Sequence, residues 1–180
     1  NETERLSRMV EELLDFSRMQ SGKLTLHPEP MDILAELGDA VLIYTEKAKR
    51  EHIRMIYHEP EMLPFVYGDK NRIRQVFINV IDNALKYSNP GGLVTVSAEE
   101  IENQIQVRIS DNGVGISAAD LPKIKTKFFK ANHTRRGSGI GLAVANEIVT
   151  MHKGSLEIQS ELGVGTAVII TLPARKENGA

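Results

Sequence analysis

The most informative motif of the chain is Asp111-Asn112-Gly113-Val114-Gly115-Ile116. Ile105, Val107 and Ile109 precede it at alternate positions, which predicts a half-buried strand that ends at the aspartate. Asp111 can accept a hydrogen bond from an exocyclic amine, and the two glycines lack the β-carbons that would keep a flat ring from the main chain. This combination suits adenine. A plain turn is the alternative, because Asp-Asn-Gly is also a common turn sequence.

The composition is that of a globular protein. The chain has 180 residues, of which 41% are hydrophobic, and this is enough for one ordinary domain with an appendage. The net charge of −2 is spread over interspersed acidic and basic residues, so we expect no nucleic-acid partner. The sequence has no cysteine, which excludes disulfides, thiolate metal sites and cysteine nucleophiles.

The start of the chain indicates an excerpt of a longer polypeptide. Its first residue is Asn1 rather than methionine, and this residue lies inside a helical pattern. No apolar run approaches the length of a membrane span or a signal sequence. We therefore expect a cytoplasmic domain, with any membrane anchor of the full-length protein in the missing part.

The first 20 residues have an apolar stripe near a 3.5-residue spacing, formed by Leu6, Met9, Leu13 and Phe16. Such a stripe favours packing against another helix, and the alternative is that the helix packs on its own domain. Ser21-Gly22 ends the helix. We accordingly expect a helical unit at 1–22, a main domain at 23–174 and a disordered polar tail at 175–180.

The rest of the chain alternates between helical and extended patterns. Apolar spacing predicts three helices, from Met31 to about Glu51 with Asp32 as its cap, from Lys70 to Tyr87, and from the glycine-rich turn at 137–142 to about His152. Extended patterns predict strands at Ile53 to Tyr57 and, more weakly, Phe65 to Tyr67, and hairpins at 94–109 and 156–172. Residues 117–136 lack periodicity and are predicted to form a mobile loop that includes a lid.

One edge of the predicted helix at 70–87 has polar side chains at spacings that bring them together: Asn79, Asn83, Lys86 and Tyr87. Carboxamide oxygens suit Mg²⁺, a lysine can meet phosphate, and a tyrosine can pack on a base. The alternative is an ordinary solvated helix edge.

A glycine-rich turn, Gly137-Ser138-Gly139-Ile140-Gly141-Leu142, opens the last predicted helix. Main-chain amides at a helix start can hold phosphate. A dinucleotide-binding unit is disfavoured, because its glycines should follow the first strand of a parallel α/β unit, whereas this turn comes late and precedes a hairpin.

Taken in order, these motifs resemble the ATP-binding catalytic domain of bacterial sensor histidine kinases. The motifs that carry the resemblance are Asn79-x-x-x-Asn83-x-x-Lys86-Tyr87, Asp111-x-Gly113-x-Gly115-Ile116, Phe128-Phe129-Lys130, Gly137 to Leu142 and Gly163-x-Gly165-Thr166. The resemblance covers Lys23 to about Pro173 and implies an α/β two-layer sandwich of the Bergerat type, with about five strands in a mixed sheet and three helices. Arg5 to Arg18 look like the second helix of the family's dimerisation and phosphotransfer hairpin.

The resemblance also implies ATP and Mg²⁺ as cofactors and assigns roles to residues. Asn83 would hold Mg²⁺ beside Asn79, Lys86 would contact phosphate, Tyr87 would pack near the base, and Asp111 would bind the adenine amine. Asn79 and Lys130 would be catalytic, although the family commonly has an arginine at the position of Lys130. The other nucleotide-binding residues implied are Gly113, Gly115, Ile116, Arg136, Gly137, Ser138, Gly139, Ile140, Gly141, Leu142 and Thr166.

None of the five histidines lies in a context like the family's acceptor box, so we interpret all of them as structural or surface residues. The acceptor helix is expected just before Asn1. The implied partners are that upstream helix, a second copy joined through the N-terminal helix, and a response regulator.

The same fold also serves other functions. Related ATPases and anti-sigma serine kinases typically carry a glutamate where this chain has Asn79, and a neutral carboxamide is a poor general base. Asn79 therefore favours transfer to a histidine. A noncatalytic ATP-binding regulator is the remaining alternative.

Overall fold

The computed structural model describes residues 1–124 and 140–174. Within these two ranges the chain forms four α-helices, seven strands and a single 3-10 turn at Leu121–Lys123. The helices and strands, in chain order, are α1 (Glu2–Gln20), β1 (Glu29–Met31), α2 (Ile33–Arg50), β2 (Arg54–His58), β3 (Val66–Gly68), α3 (Lys70–Lys86), β4 (Leu93–Ile101), β5 (Gln104–Asp111), α4 (Gly141–Met151), β6 (Ser155–Glu161) and β7 (Gly165–Pro173).

Five strands form a mixed sheet in the order β2-β4-β5-β7-β6. β2 and β4 are parallel, and every other neighbouring pair is antiparallel. The predicted sandwich of a mixed five-stranded sheet with three covering helices is confirmed, since α2, α3 and α4 lie side by side and contact the sheet. Both predicted hairpins, β4–β5 and β6–β7, are present.

Strand register explains where the core lies. Residues that face each other across neighbouring strands point to the same side of a sheet, so apolar side chains at alternate positions form continuous rows. Two buried or half-buried rows that run across β5, β7 and β6 are Val107-Ile170-Leu156 and Ile109-Val168-Ile158. This face is covered by the helices.

The helices begin where the sequence supplies a cap. The Asp32 carboxylate accepts the main-chain N–H of Leu34 at 2.9 Å, and the Asp69 carboxylate accepts those of Asn71 and Arg72 at 3.2 and 3.3 Å. Side-chain acceptors at these positions satisfy N–H groups that have no partner inside the helix. The predicted apolar face of α3 is buried throughout.

A small ribbon, β1 paired antiparallel with β3, was not predicted. Phe65 to Tyr67 was predicted, more weakly, to be a strand. The strand that forms there, β3, pairs with β1 rather than with the main sheet.

His152, which caps the C-terminal end of α4, is held by two main-chain contacts. Its Nε2 accepts the N–H of Asp69 at 3.0 Å, and its Nδ1 lies 2.7 Å from the Ile148 carbonyl oxygen. Nδ1 therefore carries the ring proton, and the structural interpretation of this histidine is confirmed.

The N-terminal helix packs on the rest of the chain only at its C-terminal end. Phe16 and Met19, each 5% exposed, join the domain core where the end of α1 lies against α4. Farther towards the N-terminus the helix is open, with Leu6 51% and Leu14 52% exposed. The end of α1 thus packs on the domain that follows it.

In the described part of the chain, none of the helices has the length and apolar character needed to cross a membrane.

Candidate functional site

The sheet's inner face ends in a polar row. Asp111 on β5 faces Thr166 on β7, and Thr166 faces Ser160 on β6. These residues continue the alternation of the apolar rows by one more step, so their side chains lie on the helix-covered face. Because the apolar rows end here in one carboxylate and two hydroxyl groups, we take this edge of the sheet as the candidate site.

Asp111 is the charged member of the row. Its Oδ1 accepts the main-chain N–H of Gly113 at 2.9 Å. Burial raises the pKa of the Asp111 carboxyl, and the main-chain N–H groups of Gly113 and Thr166 oppose that rise by donating to the ionised form. The carboxylate is therefore oriented and partly desolvated, which suits it to accept a hydrogen bond from a ligand.

The glycines after Asp111 are needed for a reason that the sequence did not reveal. A β-carbon on Gly113 would lie 2.1 Å from the Tyr87 carbonyl oxygen, and one on Gly115 would lie 2.1 Å from the Glu161 carbonyl oxygen. Gly115 also has a φ of +72°, which side chains rarely adopt. The space is taken by the protein's own main chain, in addition to any room that a ring would require.

Asn79 connects α3 to the start of α4. Its Nδ2 donates to the Gly141 carbonyl oxygen at 3.1 Å, and Gly141 is the first residue of α4. Because the carboxamide nitrogen is used in this way, its oxygen is oriented away from the contact. The predicted stripe on α3 and Gly141, far apart in sequence, are therefore neighbours.

The other members of the α3 stripe are half-buried at the C-terminal end of the helix. Asn83 lies one turn after Asn79, and Tyr87 forms the cap, where its carbonyl oxygen accepts the N–H of Val114 at 3.1 Å. Lys86, predicted to meet phosphate, has its Nζ 3.7 Å from the Asp82 carboxylate. The stripe is thus tied directly to the loop that follows Asp111.

The side chains at the start of α4 are buried. Ile140 is 1% and Leu142 is 7% exposed, so both side chains belong to the core, and the cap at Ile140 makes no side-chain hydrogen bond. Any contact of these two residues with a ligand would have to come from main-chain atoms. Five predicted site residues lie outside the described residues: Lys130, Arg136, Gly137, Ser138 and Gly139.

Ser160 was not predicted as part of the site. Its Oγ accepts the N–H of Ile116 at 2.8 Å and lies 2.9 Å from the Gly165 carbonyl oxygen and 2.7 Å from the Thr166 hydroxyl. It thereby joins the loop after β5 to the hairpin β6–β7. Its alternate spacing from Leu156 and Ile158 was the available signal, because that spacing puts it on the inner face.

Residues 68–176 match the family model described as histidine kinase-, DNA gyrase B-, and HSP90-like ATPase. The matched segment contains α3, the polar row and α4, which are the elements that form the candidate site. The chain belongs to this ATPase family.

Within the ATPase family, the chain is similar to sensor proteins. It is 35% identical to the sensor histidine kinase WalK of Bacillus subtilis over 183 aligned residues, which cover 98% of this chain and 30% of WalK. It is 34% identical to the sensor protein SrrB of Staphylococcus aureus, with 96% of this chain and 30% of SrrB covered. The chain thus spans about a third of the length of these relatives.

Solved structures of the family have the same fold. The histidine kinase AdeS of Acinetobacter baumannii superposes with a TM-score of 0.79 at 26% identity, covering 98% of this chain and 82% of AdeS. Full-length ShkA, solved in complex with AMPPNP, gives a TM-score of 0.85 at 24% identity and covers 95% of this chain and 36% of ShkA. The catalytic-domain fold is therefore confirmed.

Proposed function

We propose that this chain is the ATP-binding catalytic domain of a sensor histidine kinase. It would transfer the γ-phosphoryl group of Mg-ATP to a histidine upstream of Asn1, for relay to an aspartate of a response regulator. The observation that carries the proposal is Asn79, whose carboxamide donates to the Gly141 carbonyl oxygen. A neutral, anchored group at this position cannot act as the base that hydrolysis of ATP by water requires.

Asp111 is the proposed adenine contact. Its carboxylate already has one oriented oxygen, and an ionised acceptor makes a strong bond to an amine. Thr166 lies next to it in the row, and Tyr87 is linked to the same loop by the hydrogen bond from Val114. These contacts support a base-binding end formed by the polar row and the loop 112–116.

The phosphates are proposed to lie towards α4. The first N–H groups of a helix have no partner inside it, and the positive end of the helix dipole favours anions. α4 starts at Gly141 beside Asn79, and its cap lacks a side-chain acceptor. Lys130, Arg136 and the glycines of 137–139 are proposed, from the resemblance, to complete this end.

The residues present fit a magnesium ion. Across 1–124 and 140–174, no group of three His, Cys, Asp or Glu side chains could hold a metal. Mg²⁺ usually takes few protein ligands and fills its shell with water and phosphate oxygens, so carboxamides suffice. Asn83 is the proposed ligand, with the Asn79 oxygen beside it, and the ion would neutralise phosphate charge during transfer.

The transfer itself would require little covalent chemistry from this domain. The acceptor imidazole nitrogen would attack the γ-phosphorus while the bond to the β–γ bridging oxygen breaks, and the electron pair would leave with ADP. The chain's residues would position the phosphates and stabilise their charge. Asn79 and Lys130 are the residues to which we assign that role.

The partners follow from the same proposal. The upstream acceptor helix would be presented to this domain, a second copy would associate through the N-terminal helix, and a response regulator would receive the phosphoryl group. A solved complex of the histidine kinase ThkA with the response regulator TrrA supports the last of these, since ThkA has this fold at a TM-score of 0.78. The experiment that tests the function is labelling with γ-labelled ATP in the presence of the acceptor fragment.

A further inference from the structure

We propose that Ser160 is a positioning residue that selects the base, because it fixes the direction of the Thr166 hydroxyl proton. With that proton turned away, the polar row offers the ligand only acceptors. The site would then prefer a base that carries an amine at this edge over a base that carries a carbonyl there. This inference rests on the proposed nucleotide function and adds a residue and a selection mechanism to it.

The direction of the proton follows from counting donors around Ser160. Its hydroxyl has one proton and two lone pairs. The Gly165 carbonyl oxygen, 2.9 Å away, can only accept, so it takes the serine proton. The Ile116 N–H, 2.8 Å away, can only donate, so it takes one lone pair.

The Thr166 hydroxyl, 2.7 Å from Ser160, must then be the donor if every contact is to be a hydrogen bond. Its proton points across the sheet from β7 to Ser160 on β6, and its lone pairs remain for the ligand side. Thr166 is the direct neighbour of Asp111 in the register. A carboxylate and a hydroxyl oxygen, both acceptors, thus lie side by side.

The group at position 6 of a purine must bring donors if it is the group that meets the two acceptors. The 6-amino group of adenine has two N–H donors, whereas the 6-oxo group of hypoxanthine or guanine would put an oxygen against the carboxylate. In such a mismatch, polar groups lose their water without gaining a hydrogen bond, and this weakens binding. The resulting difference in affinity between the two bases is larger than a change in shape alone would cause. Selection would come from repelling the wrong base as well as from holding the right one.

Without Ser160 the Thr166 hydroxyl could turn and donate to a ligand oxygen. Ser160→Ala should therefore weaken the preference for an amine without simply weakening all binding. A purely structural serine would lower the affinity for both kinds of base by the same factor. The ratio of the two affinities is the quantity that separates these roles.

The test is calorimetric titration of the 180-residue chain with ATP and with inosine triphosphate, the 6-oxo analogue. Wild type should prefer ATP, and Ser160→Ala should reduce the ratio of dissociation constants by about tenfold, the scale of one hydrogen bond. In a Thr166→Val background the same serine change should leave the ratio unaltered, because no hydroxyl is left to turn. Ser110→Ala, on the opposite face of β5, is the matched control and should keep the wild-type ratio.

Ser160→Cys provides a second variant that retains a weak acceptor, and its ratio should fall between those of wild type and alanine. An unchanged ratio in Ser160→Ala, or equal loss of both nucleotides, would overturn the role of Ser160 while leaving ATP binding intact. A wild-type chain that bound neither nucleotide would instead overturn the proposed function, and this inference with it.

Discussion

The carboxamide nitrogen of Asn79 lies 3.1 Å from the carbonyl oxygen of Gly141 and donates to it, across 62 residues of sequence. This contact links the middle of α3 to the start of α4, the two helices that flank the proposed phosphate end. An aspartate at position 79 would lose the donor and direct a carboxylate at a carbonyl oxygen.

Asn79→Asp should therefore lower the free energy of unfolding by about 1–3 kcal/mol, the cost of a half-buried contact left unmade. Urea unfolding of the variant and of wild type measures this difference in free energy. Asn71→Asp is the matched control, because Asn71 is exposed in the first turn of α3, where a negative charge is tolerated or favoured. Equal stability of the two variants would show that the Asn79 contact carries no energy.

Asp111 should be essential for ATP binding as an ionised acceptor. Asp111→Ala should weaken binding by about 1.5–3 kcal/mol, since a charge-assisted hydrogen bond is lost. Calorimetric titration is the measurement. A folded variant that kept the wild-type dissociation constant would remove Asp111 from the site.

The pKa of Asp111 also predicts a pH dependence, and stability and binding should change in opposite directions. Burial raises the pKa of the folded carboxyl above 3.8, so folding favours the protonated form, and this contribution to stability is lost as the pH rises through the folded pKa. ATP binding needs the carboxylate and should weaken as the pH falls through that same pKa. Asp111→Asn should abolish the pH dependence of both stability and ATP affinity that comes from this carboxyl. Unfolding and ATP titrations at several pH values measure the two. If the pH profiles of Asp111→Asn matched those of wild type, Asp111 would not be the titrating group.

Gly113 should tolerate no side chain. In Gly113→Ala the new β-carbon would meet the Tyr87 carbonyl oxygen, and the variant should lose at least about 2 kcal/mol of stability because main chain must move. Gly38→Ala is the control, since a β-carbon there meets nothing within 4 Å and the residue lies inside α2. That change should stabilise by roughly 0.5–1 kcal/mol. Thermal unfolding of the two variants should move in opposite directions.

The end of α1 should be held by the domain. Phe16 is 5% exposed, so Phe16→Ala should cost about 3–5 kcal/mol of local stability, whereas Leu14→Ala, at a side chain 52% exposed, should cost less than about 0.5 kcal/mol. Hydrogen exchange of the main-chain amides of α1 distinguishes the two variants. Faster exchange in α1 with an unchanged β5 is expected for Phe16→Ala only, and equal exchange in both variants would favour an independent unit ending at Gly22.

Local periodicity was sufficient to predict most elements. The face of α3, the cap at Asp32 and both hairpins follow from residues within a few positions of one another, and such signals are visible in a single sequence. The β1–β3 ribbon was missed because it pairs Glu29 with Gly68, and no local pattern specifies a partner so distant.

For the same reason, the sequence predicted individual residues of the candidate site but not the contacts between them. Asp111 and Thr166 were identified from ordered motifs, but their place in one row depends on strand register. Gly113 was explained by the approach of a ligand, whereas the nearest obstacle is the Tyr87 carbonyl oxygen. Ser160 belongs to none of the motifs that carry the resemblance, and only the register across β7 reveals its contact with Thr166.

The proposed function is transfer of a phosphoryl group to a histidine upstream of Asn1. The most direct measurement is incubation of the chain with γ-labelled ATP and Mg²⁺, with and without a fragment that carries the proposed acceptor helix, followed by acid treatment. We predict no label on the chain alone, acid-labile label on the fragment, and loss of that label in Asp111→Ala and Asn83→Ala. Acid-stable label on the chain itself, or rapid phosphate release without the fragment, would contradict it and favour a serine kinase or an ATPase.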